Sequence, residues 1–243
     1  MRALRSQTAA ELILTLRRGD AILLNLAIPV GLLVFFSLVD VLPKPAGVHH
    51  PVDFLAPGIL ALAVMSTSMV SLSIATGFER QYGVLKRLAT TPLGRPRLLT
   101  AKIVSVAAIE VIQVALIVGV ALLLGWNPGG SGWPAVPAIV LGTVAFAGLG
   151  LLMAGSLRAE VTLAAANGLY LLLLLLGGMV IPLSKLPSGL RTFARGLPAG
   201  ALSDALNGSL ATGSRGVPVG AWIVLAVWAT LAPTAAALLF RWE

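Results

Sequence analysis

The sequence predicts an all-α integral membrane protein. It has six transmembrane helices, an N-terminal amphipathic interfacial helix and an outer re-entrant helical hairpin between spans five and six. Three observations predict this. Of 243 residues, 58% are hydrophobic and only 11% are charged, with a mean hydropathy of +0.97. A soluble domain carries about a quarter charged residues, so too few are present to build a water-facing surface. The apolar residues fall into six runs of roughly 20 residues, the length that crosses a hydrocarbon core. The net charge of +8 is gathered mainly between those runs, as expected of cytoplasmic loops rather than of a nucleic-acid surface.

Residues 1–20 have no uninterrupted apolar core and no small-residue cleavage site, so they do not read as a signal peptide. Leu4, Leu12, Ile13 and Leu16 share one helical side, with Arg2, Arg5, Glu11, Arg17 and Arg18 mostly elsewhere, which predicts a helix lying on the cytoplasmic membrane surface. The six spans follow at about Ala21–Val41, Phe54–Thr76, Leu98–Leu124, Trp133–Leu157, Val161–Ile181 and Val217–Phe240. With the N-terminus inside, 12 of the 17 Lys and Arg residues lie on the cytoplasmic side, and Lys44, Lys185, Arg191, Arg195 and Arg215 outside. Both termini are therefore expected in the cytoplasm.

Most connections are short. "WNPGGSGW" (Trp126–Trp133) is an uncharged turn with an indole expected at the membrane interface at each end. "LRAE" (Leu157–Glu160) is a tight inner turn, and "PKPAGVHHPVD" (Pro43–Asp53) a short outer loop. The chain thus reads as one membrane domain over residues 1–243, with two substantial connections. The outer one, residues 182–216, is broken by Pro182, Pro187 and Pro198. Leu186, Leu190, Phe193 and Leu197 are spaced for one short helix, and Leu202, Ala205 and Leu206 for a second, predicting a hairpin that dips into the outer leaflet. The inner one, residues 78–97, holds Glu79, Arg80, Lys86, Arg87, Arg95 and Arg97. Its centre, Tyr82 to Thr91, reads as a short amphipathic helix with Leu85 and Leu88 on one side and Lys86 and Arg87 on the other, ended by Thr91-Pro92. Arg95, Arg97 and Lys102 read as headgroup anchors at the start of span three.

The order Glu79-Arg80, Gly83, Leu85, Lys86-Arg87-Leu88, Thr91-Pro92-Leu93, Leu98-Leu99 and Lys102 resembles the ABC-2-type permeases, the membrane subunits of one class of ATP-binding-cassette exporters. "GGMVIPLSKLPSGLRTFARGLPAGALSDAL" (Gly177–Leu206) is similar to that family's end of span five and its outer hairpin. The wording is nearest to small drug- and antibiotic-efflux permeases, although Gly-Val-Leu-Lys stands where many members have Gly-Thr-Leu-Glu. The resemblance implies that residues 78–97 form a coupling loop docking on a separate ATPase subunit. Glu79, Arg80, Tyr82, Gly83, Leu85, Lys86, Arg87, Leu88, Thr91 and Pro92 would be the coupling residues. It also implies a second permease copy, as a homodimer or with a related half-transporter. The bias toward Ala, Gly, Leu and Arg points to a bacterial genome, so the membrane expected is a bacterial plasma membrane. No Gly-x-x-x-x-Gly-Lys-Ser/Thr phosphate loop occurs, so ATP and Mg are expected on the partner and no cofactor on this chain. The substrate expected is a hydrophobic small molecule or lipid-like compound moved outward. No nucleic-acid partner is expected.

Within the spans, Glu110 and Gln113 lie one turn apart on one face of span three, and either line a substrate path or bond to another helix. Asn167 is a further candidate for the path, though it and Asn25, like the run Ser66–Ser73, also fit helix–helix contacts. Met65 and Met69 read as packing. The chain has no cysteine and only two histidines, His49 and His50, well short of the three ligands a catalytic metal usually takes. An ion-coupled transporter and an intramembrane enzyme are the rival readings. The first lacks an internal repeat and the second an acid–base pair.

Overall fold

The computed structural model describes residues 19–39, 50–89, 95–130, 132–180, 182–211 and 216–240. Nearly all of the N-terminal interfacial helix, His49, and Thr91 with Pro92 lie outside the described residues, as does the side chain of Leu88.

The described residues form helices and no strand. α1 is Gly19–Leu38. One long rod follows, made of α2 (Pro51–Met65), a π-helical segment (Ser66–Ser71) and α3 (Leu72–Gln81). The short α4 (Val84–Ala89) precedes α5 (Arg95–Leu123), α6 (Ala135–Ser156) and α7 (Ala159–Leu176). A 3-10 turn (Leu183–Lys185) leads to α8 (Ser188–Arg195), α9 (Pro198–Leu210) and α10 (Val219–Leu239). Five helices are long and apolar enough to cross a membrane: Pro51–Gln81, Arg97–Leu123, Ala135–Ser156, Ala159–Leu176 and Val219–Leu239. They match expected spans two to six. The expected first span falls on α1, whose described side chains form a shorter apolar helix, Asn25–Leu38.

The Pro51–Gln81 rod is the axis of the molecule. Its apolar stretch is 72% buried, against 17% for α10 and 22% for α7. Ile59, Leu62, Met65 and Met69 are inaccessible, so the two methionines are packing residues. Small residues allow the helices to approach closely. A Cβ added at Gly58 would sit 1.9 Å from the Met179 carbonyl oxygen, and one at Gly150 would sit 2.7 Å from the Met69 carbonyl oxygen. A Cβ at Gly148 would sit 2.4 Å from the Pro233 nitrogen, where α6 packs on α10. In a bilayer such close backbone contact replaces the hydrophobic drive that holds soluble helices together.

α8 and α9 occupy the segment expected to hold two short helices. α9 is buried among α2, α6 and α10, with Leu202 and Leu206 inaccessible. Ser203 Oγ donates to the Gly178 carbonyl at 3.0 Å, fastening α9 to the end of α7. α8 turns Leu190 and Phe193 outward. Trp228 Nε1 of α10 donates to the Gly196 carbonyl between the two, at 3.0 Å.

One loop differs from expectation. Trp133 is exposed as anticipated, at 74%, but Trp126 is buried in the core. The end of α5 explains it. Gly125 takes φ +88°, Trp126 N–H bonds back to the Ala121 carbonyl at 2.9 Å and Gly125 N–H to that of Leu122 at 3.0 Å. This is a Schellman cap, and it carries the residue after the glycine back onto its own helix.

Candidate functional site

Three places bring together residues singled out from the sequence. The first is the end of the rod. α3 stops at Gln81, and Gly83 (φ +70°) turns the chain into α4. That backbone conformation strains any residue with a Cβ, which explains the glycine. Phe78 and Tyr82 stack at 6.1 Å, and Tyr82 is 72% exposed. α4 has two sides. Leu85 is buried in a cluster with Leu98, Leu99 and Leu72, while Val84, Lys86 and Arg87 are exposed.

The acidic and basic residues just before α4 are engaged within the protein. Lys102 Nζ meets Glu79 Oε2 at 2.6 Å, with Lys102 2% exposed. This corrects the reading of Lys102 as a headgroup anchor. α5 begins at Arg95, so position 102 lies about 10 Å into the helix at 1.5 Å per residue. At that depth its ammonium needs a partner, and α3 supplies one. Arg80 Nη2 donates to the Leu157 carbonyl at 2.7 Å, at the end of α6. Gln81 Nε2 donates to Glu160 Oε1 at 2.8 Å, at the start of α7. Helices α3, α5, α6 and α7 are therefore tied together directly behind α4. Of the residues expected to face a partner, Tyr82, Lys86 and Arg87 are outward. Leu85, Glu79 and Arg80 instead hold the short helix in place.

The second place is a polar stitch halfway along the rod. Gln113 on α5 is buried. Its Oε1 accepts from Thr67 Oγ1 at 2.8 Å, and its Nε2 donates to the Asn25 backbone carbonyl at 2.8 Å. Asn25 Nδ2 donates to Ser71 Oγ at 2.8 Å. The Asn25 carbonyl needs this donor for a reason visible in the sequence. Pro29, four residues on in α1, has no N–H to offer it. Gln113 thus repairs the gap a proline leaves in a helix, where no water can do so. Among the path candidates, Gln113 is bonded on both sides as a link between helices. Asn167 is exposed and, among the described residues, bonds within its own helix, Nδ2 to the Leu163 carbonyl at 2.8 Å. It borders a cleft of about 200 Å³ with Asn25, Pro29, Ser66 and Tyr170, between α1, the π segment and α7.

The third place is Glu110, one turn from Gln113. It is 2% exposed. Thr143 Oγ1 of α6 is bonded to Glu110 Oε2 and lies 2.9 Å from the Ile139 carbonyl, so one hydroxyl hydrogen serves two acceptors. Among the described residues, Glu110 Oε1 has no hydrogen-bond partner. It borders an apolar groove of about 610 Å³ between α5 and α6. Glu110 and Asn167 thus belong to separate cavities. Among the described residues, no three His, Asp or Glu side chains are grouped to hold a metal.

Sequence comparison adds to this geometry. The family model described as "ABC-2 type transporter" matches residues 2–210. The chain is also similar to "Putative transport permease YvfS" of Bacillus subtilis (strain 168), 26% identical over 207 residues that cover 82% of each chain.

Proposed function

The chain belongs to the ABC-2 type transporter family and is a multi-pass membrane transport subunit, and from this we infer that it is the permease half of an ATP-driven exporter. A separate nucleotide-binding subunit holds ATP and Mg and docks on α4 from the cytoplasm. The observation that carries this reading is the mounting of α4. A short helix with Lys86 and Arg87 exposed is pinned by Leu85 and backed by the Glu79–Lys102 and Arg80–Leu157 ties. A push on such a helix would move several spans together, as power transfer from another chain requires. α1 serves as the first span and brings the number to six. α8 and α9 form a re-entrant hairpin, supported by the burial of α9 among spans, the setting in which non-spanning backbone is tolerated.

A second copy packs beside the first, and a hydrophobic or lipid-like substrate passes between them. Supporting this, α7 leaves Leu171, Leu172 and Leu175 exposed next to the cleft bordered by Asn25, Asn167 and Tyr170. The membrane is a bacterial plasma membrane with both termini cytoplasmic. To be moved, the substrate must bind the two access states with different affinity.

The test is purification from the native membrane in mild detergent, identification of co-purifying chains and assay of ATP hydrolysis. A nucleotide-binding chain should accompany the protein and be released by Lys86→Glu/Arg87→Glu. Purification of the chain alone, with no ATPase activity, would overturn the reading.

A further inference from the structure

We propose that the groove between α5 and α6 is a lipid-accessible binding site for a long-chain amine, whose nitrogen is received by Glu110. The groove runs along α5 from Ile103 to Val118, about 22 Å at 1.5 Å per residue, and its volume of about 610 Å³ is that of a small-ligand pocket. Its rim residues Val104, Val111, Val136 and Val140 are exposed, so it opens sideways from the helix bundle, where lipid would lie. Its walls are apolar except for Glu110 and Thr143.

The carboxyl is what makes this more than a crevice between helices. Glu110 Oε1 is buried and unpartnered. Ser68 Oγ lies beside the carboxyl and is itself bonded to the Val64 carbonyl at 2.5 Å. A carboxylate oxygen only accepts, and in a bilayer an unpaired acceptor is costly. A protonated amine satisfies both its hydrogen bond and its charge. The alkyl chain gains little by moving from lipid to an apolar groove. The preference of the site therefore rests on the head group, and the groove supplies shape.

The site is independent of the docking of α4, and its test needs no ATP. The full chain is purified with whatever accompanies it and placed in phosphatidylcholine nanodiscs. Equilibrium binding of radiolabelled dodecylamine is compared with that of dodecanol and dodecanoate. One saturable dodecylamine site per chain is expected. Glu110→Gln, which keeps the shape but removes the charge, should weaken it tenfold or more. Val140→Trp, which fills the mouth of the groove from an exposed position, should abolish it. Absence of saturable binding, unchanged binding in Glu110→Gln, or equal binding of dodecanol would overturn the proposal. The last two results would leave Glu110 as a neutral acid hydrogen-bonded to Ser68 or Thr143. None of these outcomes bears on whether an ATPase docks at α4.

Discussion

Gln113 and Glu110 sit one turn apart on the same face of α5, and both are buried, yet they are opposites in bonding. Gln113 spends its oxygen on Thr67 and its nitrogen on Asn25. Glu110 shares one hydrogen with a threonine and leaves its second oxygen unpaired. The first closes a gap in the helix bundle, and the second borders a groove. Polarity within a span does not separate a structural residue from a ligand-binding one. The separation comes from whether its hydrogen-bonding capacity is used up by the fold.

The difference can be tested by removing polar groups and following thermal unfolding in detergent. The largest loss should come from the most fully matched pair. Lys102→Met strands the Glu79 carboxylate and should cost about 3 kcal/mol, and most of that should return in the double variant with Glu79→Leu. If the single variant melts like the parent, the buried pair contributes nothing to the ties behind α4. Gln113→Leu should cost about 2 kcal/mol, because it leaves the Thr67 hydroxyl and the Asn25 carbonyl without partners. Restoring an N–H by Pro29→Ala should recover part of that cost, since the Asn25 carbonyl regains its helical donor. Smallest should be Glu110→Leu, within about 0.5 kcal/mol, because Thr143 retains its bond to the Ile139 carbonyl. A Glu110→Leu loss as large as that of Gln113→Leu would erase the comparison.

Much of this fold was legible from length and hydropathy. The Pro51–Gln81 rod and the helices α5, α6, α7 and α10 fall where apolar runs were expected, and α8 and α9 fall where proline breaks and leucine spacing put two short helices. The pairings were less legible. Glu79 with Lys102 and Gln113 with Asn25 join residues distant in the chain, and their helix registers are set by packing. Pro29 did carry a signal, since it orphans the Asn25 carbonyl and so requires a donor from another helix. The Schellman turn at Gly125 also carried one, and it would have placed Trp126 inward. The groove beside Glu110 had none, because an unfilled space between two helices leaves no mark on either sequence.

The most direct measurement uses the absence of native cysteine. Single cysteines are placed at Lys86 on α4 and at Trp133, exposed at the other end of α5, and treated with a bifunctional thiol–amine reagent in native membranes. Lys86→Cys should join the chain to a nucleotide-binding subunit, with a yield that changes on adding ATP, while Trp133→Cys should not. Equal linkage at both positions, or none at Lys86→Cys, would contradict docking at α4.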